Sequence, residues 1–425
     1  MTRIILSMLV MITLLSLLAC GPAASGQLLQ SDKPRDTSPS VDASDLTALV
    51  KGNNAFAFDL YQVLKQMGGN LFYSPYSISE ALAMTYAGAR GQTEKDMAEA
   101  LNFTLSQDRL HPAFNSLDLQ LKQRGKGAQG TDGSDFRLDV ANAIWGQKDY
   151  QFLAQYLDVL AQNYGAGLRI VDFINQMEKS RVTINQWVSD QTQGKIKDLV
   201  PPGAINDLTR LVLTNAIYFN AAWKYPFNDE VTSNGLFYLL DGSSVTASMM
   251  KQTESFKYAE GADYQAVELT YSGEELSMVI LLPKAGEFEV FENSLDAELV
   301  KTIIGQLEKK EVSLTMPKFE YESSFSLKQA LSMLGMEVAF TPDADFSGMD
   351  GNHDLLIQDV LHKAFVSVDE AGTEAAAATA VIVGTTSIPV QQAQVTIDRP
   401  FLFLIRDITT GSIVFVGRVL NPAAH

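Results

Sequence analysis

The segment Glu370 to Ala380, E-A-G-T-E-A-A-A-A-T-A, constrains the fold of this chain more than any other stretch. On propensity alone four consecutive alanines read as a short exposed helix. Gly372 ahead of the run and the β-branched residues behind it (Thr379, Val381, Ile382, Val383, Thr385, Thr386, Ile388) argue for a strand instead. Thr373, Ala375, Ala377, Thr379, Val381 and Val383 fall on one face at period two, and all are small or aliphatic. Glu374, on the other face, needs water. A strip of this kind can slide between two close-packed strands without steric cost. Val381 to Gln394 follows without a single charge. A bait joined to a small-residue hinge fits a protein that works by changing shape once.

Around this strip the elements are legible in outline. Phe56, Leu60, Leu64 and Met67 have helical spacing, closed by Gly68-Gly69. Ser74-Pro75 reads as a helix start, and Thr93 as the N-cap of a helix from Glu94 to Leu101. Phe136, Leu138 and Val140 alternate like a strand. Leu211 to Phe219 is almost wholly apolar, as in a central strand covered on both faces. Phe401 to Ile405 and Ile413 to Val419 read as a hairpin around Asp407 to Ser412. Helices come early and strands late, which makes the class α+β.

The N-terminus reads as a targeting segment. Arg3 is its positive region, and Ile4 to Ala19 is apolar but short of the roughly 18 residues a spanning helix needs. It runs into Leu17-Leu18-Ala19-Cys20-Gly21, which looks like a bacterial lipoprotein cleavage box. Cys20 is the only cysteine, so no intramolecular disulfide is possible, and lipidation gives the thiol a use. The predicted division is a signal peptide over residues 1–19, a lipidated Cys20 and disordered tether over 20–46, and one globular domain over 47–425. The tether is polar and rich in Ser, Pro, Gly and Asp, and as a coil it would reach about 25–30 Å. The expected location is the cell envelope, with the membrane engaged through Cys20.

Charge and motifs exclude more than they assign. A net charge of -18 argues against nucleic acid and heparin-like polyanions. Lys122, Arg124 and Lys126 form one small basic cluster, read as a solvated helix end. Gly125 to Gly130 matches G-x-G-x-x-G, but no strand precedes it and no helix follows, so it reads as a loop. Asp343, Asp345, Ser347 and Gly348 echo a calcium loop, yet the twelfth position is Asp354 rather than a bidentate Glu. There is no H-E-x-x-H and no G-x-S-x-G. No cofactor, metal or catalytic centre is expected, and the chain is not read as an enzyme.

Five stretches in order along the chain resemble the serpin family. They are Asn70 to Thr93 (N-L-F-Y-S-P-Y-S-I-S-E-A-L-A-M-T-Y-A-G-A-R-G-Q-T), Ile184 to Leu199, Leu211 to Trp223, Leu361 to Ala380, and Ile397 to Ile405. The resemblance implies a fold of three β-sheets and about nine helices with an exposed reactive-centre loop. It implies a hinge at Glu370, Gly372, Thr373, Glu374, Ala375, Ala376, Ala377 and Ala378. It also implies a sheet-opening cluster at Ser74, Ser77, Asn215 and His362, with Trp223 at the top of the sheet. The family's spacing from Glu370 puts the reactive bond at Thr386–Ser387.

The implied activity is suicide inhibition of a serine protease. The protease attacks the loop, forms an acyl-enzyme, and is trapped when the cut loop enters the main sheet as a new strand. At about 0.5–1.5 kcal/mol net per hydrogen bond, roughly ten new bonds outweigh the ordering of one loop. The residues before the predicted cut are small, so an elastase-like or subtilisin-like target is expected, met by a monomer. The competing expectation is a non-inhibitory carrier or binding module of the same family.

Overall fold

The computed structural model describes residues 26–128, 136–373 and 392–424. The chain opens with β1 (Gln27–Leu29), α1 (Ala43–Leu64), β2 (Leu71–Tyr73), α2 (Pro75–Tyr86), α3 (Gly91–Ala100) and α4 (Gln107–Leu121). Next come β3 (Arg137–Gln147), α5 (Ala154–Tyr164), β4 (Leu168–Val171), α6 (Met177–Gln191) and β5 (Leu211–Ala222). Strands then dominate: β6 (Ser233–Tyr238), β7 (Ser244–Glu260), β8 (Tyr264–Thr270) and β9 (Leu276–Pro283). After α7 (Phe288–Ser294) and α8 (Ala297–Gly305) come β10 (Glu308–Pro317) and β11 (Phe319–Ser326). Two four-residue helices, α9 (Lys328–Leu331) and α10 (Ser347–Asp350), precede β12 (Asp359–Val368) and the two-residue β13 (Gly372–Thr373). The described chain closes with β14 (Ala393–Thr396), β15 (Phe401–Asp407) and β16 (Ile413–Val419).

The fold is α+β. A seven-stranded sheet has the order β1-β4-β3-β5-β13-β12-β11, and a second ladder runs β14-β10-β7-β8-β9-β15-β16-β2 with β6 on β7. The three expected sheets thus appear as two ladders, because β7, 17 residues long, pairs with β6 and β10 and then with β8. Sequence pattern explains the main elements. Of the twelve residues of β5, eleven are buried, as a strand covered on both faces requires. β11 alternates strictly, with Phe319, Tyr321, Ser323 and Phe325 inward. Ser74 caps α2 by accepting from the Ser77 N–H, and Pro75 takes the first helical position, where its missing N–H costs nothing. All twelve residues of α2 are buried, so the helix lies inside the molecule, beneath the large sheet.

Several expectations need correction. The disordered tether expected over residues 20–46 is instead docked from Gly26 onward, where the described residues begin. β1 pairs antiparallel with β4, Gln27 opposite Ile170, and α1 begins at Ala43, so the predicted boundary at residue 47 falls inside a helix. The segment is polar because its partners are polar. Arg35 Nε and Nη2 donate to Asn115 and Asp118 at 2.8 and 2.5 Å, and the Asp36 N–H donates to the Gln162 carbonyl at 2.9 Å. α3 starts at Gly91, and Thr93 is not its cap; the Thr93 hydroxyl accepts from the Asp345 N–H at 2.8 Å. Met67 lies on the exposed side of a 3₁₀ turn after α1, while Phe56, Leu60 and Leu64 are buried as predicted. Arg124 is no solvated charge: it bonds Asp407, itself buried, at 2.7 Å. Cys20 and the expected signal segment, residues 1–19, lie outside the described residues.

Candidate functional site

Near the centre of the large sheet β5 and β12 pair in parallel, Val212 to Ile217 against Asp359 to Ala364. Beyond Ile217 they separate, and β13 stands between them. Gly372 faces Ala222 and Thr373 faces Ala221 on one side, while Thr373 faces Val368 on the other. Gly372 and Thr373 of the expected hinge therefore already occupy the mouth of the gap. A side chain at Gly372 would place its Cβ 2.2 Å from the Ala221 carbonyl oxygen, so only glycine lets the chain pass so close to β5.

The mouth is held by named contacts. Thr373 is 1% exposed, and its hydroxyl lies 2.8 Å from that of Tyr271. Trp223 stacks on Tyr271 with centroids 4.6 Å apart. Its indole N–H donates to the Asp369 carbonyl at 3.0 Å, and its backbone N–H donates to the Ala371 carbonyl at 2.9 Å. Glu370 accepts from Lys318 and from the Thr232 hydroxyl, each at 2.7 Å. Burial pushes the Glu370 carboxyl up, but these two donors outweigh it and hold the group below its ordinary value. The rest of the expected hinge, Glu374 to Ala378, and the expected bond Thr386–Ser387 lie outside the described residues.

Deeper along the same seam the structure brings together Ser74, Ser77, Asn215 and His362. Asn215 and His362 are opposite one another across the parallel pair, so their contact spans the two strands that part above. The His362 Nδ1 meets Asn215 Oδ1, and its Nε2 accepts from the Ser74 N–H at 3.4 Å. One nitrogen donates and the other accepts, which requires the neutral ring. Burial pushes its pKa down to about 3, in keeping with that requirement. Phe325 stacks flat on the ring, with 5° between planes. The Ser74 hydroxyl donates to the Val414 carbonyl at 2.7 Å and accepts from the Ser77 N–H.

Two members of this cluster went unrecognised in the sequence. Asn142 on β3 sits opposite Asn215, and its Oδ1 accepts from Asn215 Nδ2 and from the Ser77 hydroxyl. Glu80 on α2 accepts from Asn142 Nδ2 at 2.8 Å. Only Glu80 left a faint signal: a carboxylate in the otherwise apolar and small run from Ser74 to Tyr86 has no polar helix face to occupy, so it must find a buried partner.

Asp343, Asp345 and Asp354 have structural roles or none that the contacts define. Asp345 accepts from the Ser347 N–H at 3.0 Å at the start of α10, and among the described residues no three acidic or histidine side chains are placed to share a metal ion.

The comparisons agree with this architecture. The family profile described as "Serpin (serine protease inhibitor)" matches residues 51–422. An uncharacterised serpin-like protein of Thermococcus kodakarensis is 42% identical over 377 residues, 88% of this chain and 86% of that protein. The human leukocyte elastase inhibitor is 40% identical over 386 residues, 88% of this chain and 99% of its own length. Among solved structures, human thyroxine-binding globulin complexed with its hormone superposes with a TM-score of 0.79 at 30% identity, covering 89% of this chain and all of that one. A parted sheet with a small-residue strip at its mouth, a profile match over most of the chain and relatives near 40% identity lead to one conclusion: the chain belongs to the serpin family.

Proposed function

We propose that the protein is an irreversible suicide inhibitor of serine proteases outside the cytoplasm, acting by loop cleavage at Thr386–Ser387 and insertion of the cut loop between β5 and β12. The observation that carries this reading is the hinge strip. Gly372 and Thr373 are already paired between those strands, and the sequence that follows them has only small residues on the entering face. Nothing bulky delays entry, and speed matters because insertion competes with deacylation. Between Gly372 and Asp398 there is no Lys, Arg, Phe, Tyr, Trp, Leu or Met. An acidic trypsin-like pocket finds no cation there, and a deep chymotrypsin-like pocket finds nothing to fill it. The target class is elastase-like or subtilisin-like. Lipidation at Cys20 would hold the inhibitor, as a monomer, at the cell envelope.

The second reading, a non-inhibitory carrier, is favoured by one observation. A cavity of about 540 Å³ opens between α1, α8 and the turn after β15, with Leu46, Val50, Val300 and Ile304 in its wall. Incubation with pancreatic elastase, neutrophil elastase, subtilisin, trypsin and chymotrypsin separates the two. An inhibitor gives an SDS-stable complex and a released C-terminal peptide beginning at Ser387. A carrier gives clipped protein alone. Fast covalent inhibition of trypsin with the other enzymes untouched would overturn both the target class and the placing of the bond.

A further inference from the structure

Behind Asn142 a line of polar side chains continues through the interior to the N-terminal segment. The Asn142 amide donates to Glu80 Oε2 at 2.8 Å and to the Ser77 carbonyl at 3.2 Å. The Tyr76 hydroxyl bridges Glu80 Oε1 and Asp118 Oδ1 at 3.3 and 3.4 Å. Asp118 pairs with Arg35 at 2.5 Å and with Lys122 at 2.7 Å. Arg35 belongs to the docked segment that also supplies the edge strand β1. Glu80, Asp118, Tyr76 and Asn142 come from α2, α4 and β3, and the first three are buried.

We propose that Glu80 and Asn142 are positioning residues for sheet opening, and that the Arg35–Asp118 pair behind them makes the docked N-terminal segment part of the same device. The geometry gives the reason. Asn215 Oδ1 reaches His362 across the seam only while its own amide nitrogen is spent on Ser77 and Asn142. The Asn142 oxygen faces Asn215 while its NH₂ group is held by Glu80 at 2.8 Å, with the longer bond to the Ser77 carbonyl at 3.2 Å as the weaker second hold. An ionised Glu80 holds that NH₂ with a charge-assisted bond, which is about twice as strong as a neutral one. A neutral Glu80 leaves the Asn142 amide on its weaker bond to the Ser77 carbonyl, lets it turn more readily, and so weakens the side-chain link described between β5 and β12 at this level. The sheet then parts sooner.

The groups facing Glu80 set its charge. Burial raises its pKa, the Asp118 carboxylate raises it further, and Lys122, Asn142 and Arg35 pull it back, leaving it at about 7. Tyr76 and Tyr164, the latter held by His111 Nδ1 at 2.7 Å, remain neutral beside it, since burial pushes both phenols up. His111 and His362 are pushed down by burial to about 4 and about 3, so neither titrates near neutrality.

The inference rests on the insertion reading, and its test uses a readout that needs no protease. The full chain is incubated with a synthetic peptide of residues 375–386, and uptake into the sheet is followed as the gain of heat resistance with time. Wild type is expected to take up peptide about fivefold faster at about pH 6 than at about pH 8. Glu80→Gln, a neutral acceptor of the same shape, should be fast at both. Arg35→Met removes a cation that keeps Glu80 ionised and should move the midpoint of the wild-type profile upward. A wild-type profile that is flat, or that Glu80→Gln leaves unchanged, overturns the positioning role while insertion itself stands. No uptake by wild type at any pH, together with no SDS-stable complex with any protease, overturns the insertion reading and this inference with it. Should Glu80→Gln not fold, the wild-type and Arg35→Met profiles decide alone.

Discussion

If the protein inhibits as proposed, replacing Thr373 with Arg should turn it into a substrate while leaving the uncut protein folded. In the uncut protein the long side chain cannot share the site with Tyr271, so Gly372 and Thr373 withdraw from between β5 and β12. That gives up the short pairing with Ala221 and Ala222 and the hydroxyl contact at 2.8 Å. At about 1 kcal/mol net for each bond the loss is roughly 2 kcal/mol, a drop of a few degrees in melting temperature. Insertion after cleavage is affected far more, because the guanidinium must then occupy a position that is 1% exposed and lined by the Tyr271 ring and hydroxyl. An unpaired buried ion costs several kcal/mol. With about 4 kcal/mol added to the barrier, insertion slows roughly a thousandfold, and deacylation wins. The assay is SDS electrophoresis of the variant with an elastase that the wild type traps, scored as covalent complex against clipped product. Thr373→Val is the control for shape, losing the hydroxyl without adding charge, and should still trap. A Thr373→Arg protein that forms complex at wild-type yield would refute the argument that this residue enters the sheet.

Loop cleavage between Val381 and Ser387 should raise the melting temperature sharply; an unchanged midpoint would mean that the cut strip stays out. Arg418→Met should destabilise the fold by about 3–5 kcal/mol in urea titrations, because it leaves Glu292 and the Lys65 and Gly69 carbonyls without the guanidinium that now binds them. A loss under about 1 kcal/mol would show that water replaces the arginine. His111 is buried with its pKa pushed down from 6.5 to about 4. A depressed histidine contributes stability above the unfolded value and loses it as pH falls, so the advantage of wild type over His111→Gln should shrink from about pH 6.5 down to about pH 4 by roughly 1.4 kcal/mol per unit. A difference that stays constant across that window would place the charge of this ring elsewhere.

What the sequence revealed follows from which forces leave a local pattern. α1, β5 and the β15–β16 hairpin were legible because burial imposes a period on neighbouring residues, as with Phe56, Leu60 and Leu64 or the unbroken run from Leu211 to Phe219. The docking of residues 26–46 was not legible, because nothing local distinguishes Arg35 as a tether residue from Arg35 as the partner of Asp118, 83 positions away. The same holds for Thr93, whose hydroxyl serves Asp345 rather than its own helix. Ser74, Ser77, Asn215 and His362 were singled out by family resemblance, and their meeting at one seam is a matter of strand register. Asn142 escaped because it looks ordinary alone, and Glu80 because an odd carboxylate in an apolar run does not name its partner. Only the pairing of β3 with β5 makes Asn142 the neighbour of Asn215.

The direction of the strands at the seam carries one more consequence. β5 and β12 run the same way, whereas β13 runs against both. A chain continuing downward from Thr373 would first cross the parted stretch of β5 from Asn220 to Tyr218, and from Ile217 onward would remove one parallel rung for each step while installing an antiparallel rung on either side of itself. Antiparallel rungs are the slightly stronger kind, and their number grows while the old ladder shrinks. Insertion of that kind would act as a ratchet built from strand polarity: each advance would make retreat costlier, with no external fuel needed to keep it moving. The six residue pairs from Asp359–Val212 to Ala364–Ile217 are the teeth that would have to give way, and the Asn215–His362 contact sits at the third of them counted from the parted end.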